Sequence, residues 1–152
     1  MTNRAIAKDS KIVYNLTSDK DSHFSSGINQ NATEEENLTG LISNRIRINS
    51  ISIQSDQSLD YRVILFSTDG FANTDLDLDT FQSDVEINIP SYGWRIAGAN
   101  QYYMVVNGLA IDYEDEDATY ELHVALQNLS ATAKNAGATG EVVLRFTYEE
   151  RA

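Results

Sequence analysis

The stretch Ala118–Tyr148 decides the fold: ATYELHVALQNLS (118–130), then ATAKNAGATG (131–140), then EVVLRFTY (141–148). In the first run Leu122, Val124 and Leu126 alternate with Glu121, His123, Ala125 and Gln127. In the last, Val142, Leu144, Phe146 and Tyr148 alternate with Val143, Arg145 and Thr147. Successive side chains of a strand point to opposite faces, so each run has the period of a strand with one buried face. The segment between them is small and polar, and Asn135, Gly137 and Gly140 suit it to a turn or a longer loop. Two antiparallel core strands are expected here.

Working outward, the same texture continues upstream. Gln101–Tyr113 (QYYMVVNGLAIDY) reads as a strand pair, or as one strand broken at Asn107-Gly108, a dipeptide that favours tight turns. DVEINI (Asp84–Ile89) alternates cleanly and ends at Pro90, the only proline. DYRVILFST (Asp60–Thr68) is apolar on both parities, which predicts a central strand covered on both sides or one at a subunit contact. In LISNRIRINSISIQSD, Ile46 and Ile48 share one parity while Ile51 and Ile53 take the other, so a bulge or bend is expected near Asn49–Ser50. Short strands recur between polar turns, and no apolar pattern of helical period runs beyond about two turns. The expected class is all-β, an antiparallel β-sandwich of about seven to eight strands, jelly-roll or Greek-key like.

Residues 1–40 differ in kind. KIVYNLT (Lys11–Thr17) allows one short strand, but TSDKDSHFSSGINQNATEEENLTG is dense in Ser, Asn, Asp, Thr and Glu. Such a segment buries too little apolar surface to offset its ordering entropy alone. The expected organisation is a polar, extended N-terminal arm over 1–40 and a sandwich domain over 41–152.

The chain has 152 residues, no cysteine, 11 basic and 23 acidic residues, and a formal net charge of −12. The absence of cysteine excludes a disulfide framework, a zinc–thiolate site and a thiol nucleophile. The acidic balance disfavours nucleic acid and anionic membrane surfaces as partners. MTNRAIAKDSKIVYNLT holds no apolar run of signal-peptide length, and no segment reaches the roughly 18 apolar residues of a helical span. A chain made and kept in the cytoplasm until assembly or release is therefore expected.

Candidate sites are few. Asp75, Asp77 and Asp79 in TDLDLDT set oxygen ligands at alternating positions, the weak beginnings of a calcium site, without the glycine and twelfth-position Glu of an EF-hand loop. DYEDED, with Asp112, Glu114, Asp115, Glu116 and Asp117, reads as a solvated loop joining strands, or as a cation or basic-partner site. His23 and His123 read as structural or exposed. No G-x-S-x-G context supports a hydrolase triad, and the glycine-containing loop lacks the phosphate-cradling order, so no enzyme and no cofactor is expected. Tyr92, Trp94, Tyr102, Tyr103 and Tyr113 cluster in sequence; they fit a sandwich core, a subunit interface or a stacking platform for sugar.

Two stretches carry a resemblance: STDGFANTDLDLDTF (67–81) and WRIAGANQYYMVVNGLAIDYEDEDATYELHVALQNLSATAKNAGATGEVVLRFTYEERA (94–152). Across Asp60–Ala152 the chain resembles small structural proteins of tailed-bacteriophage virions, the capsid decoration (cement) proteins among them. The resemblance implies a non-enzymatic virion component that binds the outside of an assembled capsid and reinforces it. Its partner would be the major capsid protein, its state a homotrimer and its location the capsid surface. The competing expectation is a carbohydrate-binding head-fibre or tail-tip domain.

Overall fold

In the computed structural model, described over residues 12–69 and 81–151 with the side chains of 81–85 excepted, the two runs that open the sequence reading lie in opposite layers. The strands in chain order are β1 (Tyr14–Thr17), β2 (Thr33–Thr39), β3 (Arg45–Ser55), β4 (Tyr61–Phe66), β5 (Phe81–Ile89), β6 (Arg95–Gly98), β7 (Gln101–Val106), β8 (Ile111–Glu114), β9 (Glu121–Asn128) and β10 (Val142–Glu150). One sheet runs β1-β10-β3-β7-β6 with β8 also on β3, and the other runs β2-β9-β4-β5. All pairings are antiparallel.

Strands β7 and β8 pair with successive parts of β3, Val106 opposite Ile51 and Ile111 opposite Ile48, so together they are one interrupted strand. Counting them so, the orders β1-β10-β3-β7/8 and β2-β9-β4-β5 are those of a jelly roll. Among these eight, every connection crosses between the sheets except that of the β4–β5 neighbours, and β6 is an added strand that joins the first sheet by a hairpin with β7. The Asn107-Gly108 signal thus marks a bulge rather than a hairpin. Gly108 (φ 70°) and Ala110 (φ 49°) take left-handed conformations, and the Leu109 N–H donates to Asn49 O at 2.9 Å. On the other side of β3, Thr147 faces Ser50 and Tyr148 faces Ile48, which leaves Asn49 unpaired. That bulge is why the parity of buried isoleucines changes there, as the sequence predicts.

The core lies between the layers. Ile46, Ile48, Ile51 and Ile53 of β3 and Val142, Leu144, Phe146 and Tyr148 of β10 meet Tyr61, Val63 and Leu65 of β4 and Leu122, Val124 and Leu126 of β9. Strand β4 is central and buried on both faces, because Ile64 and Phe66 form a second small cluster with Ala125 on the far side. Double burial of this kind favours a continuous apolar run over an alternating one.

The arm expected over 1–40 is corrected across 12–40, while residues 1–11 lie outside the described part. Strand β1 closes one edge of the first sheet against β10, and β2 closes one edge of the second against β9. Leu16, Phe24, Ile28 and Leu38 are all core residues. The composition misled because an edge strand contributes few apolar side chains, and its backbone is held by the neighbouring strand. The intervening loop is held by Lys134, whose buried Nζ donates to Ser26 O at 2.7 Å; burial pushes this ammonium below its ordinary pKa. Asp75, Asp77 and Asp79 lie outside the described residues.

Candidate functional site

Two features of the described residues stand out chemically: a buried Asp–His group under the acidic loop, and an exposed, nearly uncharged edge at β6.

The first is built by β8, β9 and the loop between them. Outward-facing residues of the second sheet form cross-strand rows, one of which is Asn37–His123–Phe66. His123 is fully buried on that face. Its Nε2 lies 2.9 Å from Asp115 Oδ1 and 3.4 Å from Asp117 Oδ2, and its Nδ1 lies 2.7 Å from Asn37 Oδ1. The Asp115 carboxylate, also buried, accepts from the N–H groups of Asp117 (3.1 Å), Thr119 (3.1 Å) and Glu121 (2.9 Å) and from the Thr119 hydroxyl (3.0 Å). Burial alone raises its pKa. The Glu121 N–H, the His123 ring and Thr119 outweigh burial and hold the carboxyl below 3.8.

Donors converge on Asp115 because the chain coils around it. Ala118 (φ 55°) and Tyr120 (φ 59°) are left-handed, a conformation that costs a residue with a Cβ roughly 1–2 kcal/mol. Neighbouring segments lock the coil in place. The Asp115 N–H donates to Asn44 O, the Glu116 N–H to Ser67 O, and the Tyr120 N–H to Asn44 Oδ1. Below it, the Tyr113 hydroxyl donates to Phe66 O and accepts from the His123 N–H; burial pushes the phenol far up.

The acidic run, expected to be a solvated loop or a cation or basic-partner site, is divided in the structure: Asp115 is interior while Asp112, Glu114, Glu116 and Asp117 reach the surface. One oxygen each from Asp115 and Asp117 and one nitrogen from His123 fall within 4.8 Å of one another, a donor set of the kind that holds a divalent cation. These atoms already satisfy one another and the loop amides. A catalytic His would need one nitrogen free for a substrate proton, whereas both nitrogens here face protein oxygens in a buried ring. What the geometry does is fasten the β8–β9 loop to the second sheet.

The second feature gathers the aromatics read from sequence, and the structure separates their roles. Trp94 is a packing residue: its Nε1–H donates to Leu59 O at 2.8 Å, and its ring meets Tyr61 edge-on at 6.2 Å between centroids. Tyr113 belongs to the Asp115 group. Tyr102 and Tyr103 lie side by side on β7 with opposite parity. They line a cleft of about 370 Å³ together with Lys20, Gln54, Asp56 and Gln101. Tyr92 is 91% exposed, Ile96 77%, Val105 51% and Tyr103 36%. Ile96 pairs with Tyr102 on the parity that faces the core, yet it stands open beyond the second sheet.

The chain matches no protein-family model, and no curated protein matches it significantly.

Proposed function

We propose that this chain is a non-enzymatic structural protein of a tailed-bacteriophage virion, binding the outside of an assembled capsid through the major capsid protein and reinforcing it. The observation that supports the structural part of this reading is the exposure of large apolar side chains at β6 and β7, with Tyr103 and Val105 on the outer face of the first sheet and Ile96 on its other face. Large apolar side chains left open to solvent at a sheet edge are surface of the kind that protein–protein contacts cover. A jelly roll is a frame used by capsid and lectin domains alike, so the fold is compatible with the role without specifying it. The virion location is proposed on the resemblance of residues 60–152 alone.

Co-sedimentation with capsids of the encoding phage tests the proposal. Saturable binding at a fixed ratio to the major capsid subunit is expected, and no binding to expanded heads would refute it. A second reading, a glycan-binding appendage, draws on the Tyr102–Tyr103 cleft, where aromatic rings stand beside Gln54, Asp56 and Gln101 as hydrogen-bonding groups. It predicts that Tyr103→Ala abolishes binding to a glycan array while leaving the fold intact.

A further inference from the structure

Strand β6 is the last strand on its side of the first sheet, and its pairing is with β7 alone. No described residue hydrogen-bonds its outward backbone groups. Unpaired strand edges recruit further strands, and proteins commonly guard them with charge, proline or cover. The second sheet shows such a guard at β2, its own edge strand, which carries Glu34, Glu35 and Glu36 in succession. The sequence of β6, RIAG, has no acid. The contrast extends along the chain: from Ser91 to Ile111 the only charged residue is Arg95, in a chain of 23 acids with net charge −12.

These observations select the occupant. Two copies at −12 repel each other over most approaches. Strand β6 carries no acid of its own, and Asp56 and Glu141 in the cleft beside Ala97 are offset by Lys20 and Arg95, so repulsion is weaker here than at the β2 edge with its three glutamates. The flanking apolar side chains, Tyr92 and Ile96 foremost, have no cover in the single chain. We infer that β6 is a self-association edge, pairing antiparallel with β6 of a second copy about a twofold axis. In that arrangement Arg95 of each copy faces the Gly98 end of the other, and the two guanidinium groups stay apart. The contact is isologous, the same surface on both subunits, and so it closes at two. Four residues of pairing with a small apolar rim make a weak dimer, well suited to forming when subunits are concentrated on a surface.

This deepens the reading of the edge as a protein contact and stands apart from the capsid. Loss of capsid binding with dimerisation intact would sink only the virion assignment. The experiment is sedimentation velocity on the full chain over a concentration series, with Ile96→Lys and Tyr92→Lys against Val13→Lys, an exposed position next to β1. Lysine is chosen because it lowers the net charge magnitude, so lost association cannot be blamed on added global repulsion. The expected result is a monomer–dimer equilibrium that strengthens with added salt. Either edge variant should weaken it at least about tenfold, Val13→Lys should not, and circular dichroism should be unchanged throughout. A wild-type monomer at every concentration, a trimer, an association that salt weakens, or one indifferent to both edge variants would overturn the inference.

Discussion

Replacing Asp115 by Ala removes a buried carboxylate on which five donors converge, and the structure sets the size of the effect. Three of those donors are backbone N–H groups, of Asp117, Thr119 and Glu121, which cannot turn away without unwinding the loop. The Thr119 hydroxyl can rotate to another acceptor and counts for little. A buried donor stripped of its partner costs about 1–3 kcal/mol. The low end applies here, because Asp117 is partly exposed beside the vacated space and water can enter. Three amides at about 1 kcal/mol each, and about 1 kcal/mol more for His123 losing its partner, give a loss of about 4 kcal/mol. A domain of this size has about 5–15 kcal/mol in all, so the variant should melt roughly 8–16 °C lower while remaining folded at room temperature. Asp115→Asn, which keeps the volume and one acceptor oxygen, should lose about half as much. Urea unfolding followed by fluorescence of the single tryptophan, Trp94, with circular dichroism as the second probe, measures both. Asp117→Ala is the control and should cost about 1 kcal/mol or less. If Asp115→Ala costs no more than that control, the loop is not organised around Asp115 and the reasoning fails.

The same loop predicts an opposite sign at Ala118, whose left-handed backbone suits glycine, so Ala118→Gly should stabilise by about 0.5–1 kcal/mol in the same titration. Gly140 should not tolerate even Ala, since a Cβ there collides with the Asn135 carbonyl oxygen; loss of about 2 kcal/mol or more, read as a lower melting temperature, is expected. Because Trp94 packs on Tyr61 and holds Leu59, Trp94→Ala should cost about 2–3 kcal/mol, whereas Tyr103→Ala should change stability by less than about 1. At high pH the folded chain keeps Tyr61 protonated to about 12, where burial has pushed it, while the unfolded chain ionises it near 10; stability should fall by about 3 kcal/mol as pH rises through that window, with a spectrophotometric tyrosine titration showing the delayed group. At low pH Asp115 acts with the reverse sign: its depressed pKa stabilises the fold above 3.8, and that contribution should disappear as pH drops below it, but not in Asp115→Asn.

The sandwich was legible because its core strands obey local rules. β10 and the inner face of β9 alternate, β4 is apolar on both parities, and the isoleucines of β3 change parity at the bulge they reveal. The strands β1 and β2 were not, since four apolar residues spread over Leu16–Leu38 give no period, and their placement depends on edges supplied by β9 and β10. Asn107-Gly108 signals a turn, but pairing of both flanks to the long β3 makes it a bulge. The burial of Asp115 escaped, and His123 stayed open between a structural and an exposed role, for a further reason. Alternation along β9 assigns His123 to the outward face correctly, but the period of one strand does not tell whether that face is covered. The signal that decides this sits in another strand: Ile64 and Phe66 make the outer face of β4 apolar, so that face is covered, and the residues paired with them, Ala125 and His123, are covered too.

That covered face bears on where partners dock. Outward residues of the second sheet are committed to the molecule's own structure, with His123 and Ala125 buried and Arg62 engaged with Gln127, Asn88 and Glu86. At one end of the outer face of the first sheet, by contrast, neighbouring strands present Ser52 beside Arg145 and Val105, and Gln54 beside Val143 and Tyr103, while Arg45, Arg47, Asp112, Glu114 and Glu149 gather at the other end. Mixed small, polar and aromatic surface of this kind can be desolvated at modest cost, because few full charges must be stripped of water. A large partner would therefore meet least resistance at that end of the first sheet, beside the β6 edge that is left without a guard. Surface substitutions there should alter assembly without altering melting, and substitutions at the outward positions of β9 should do the reverse.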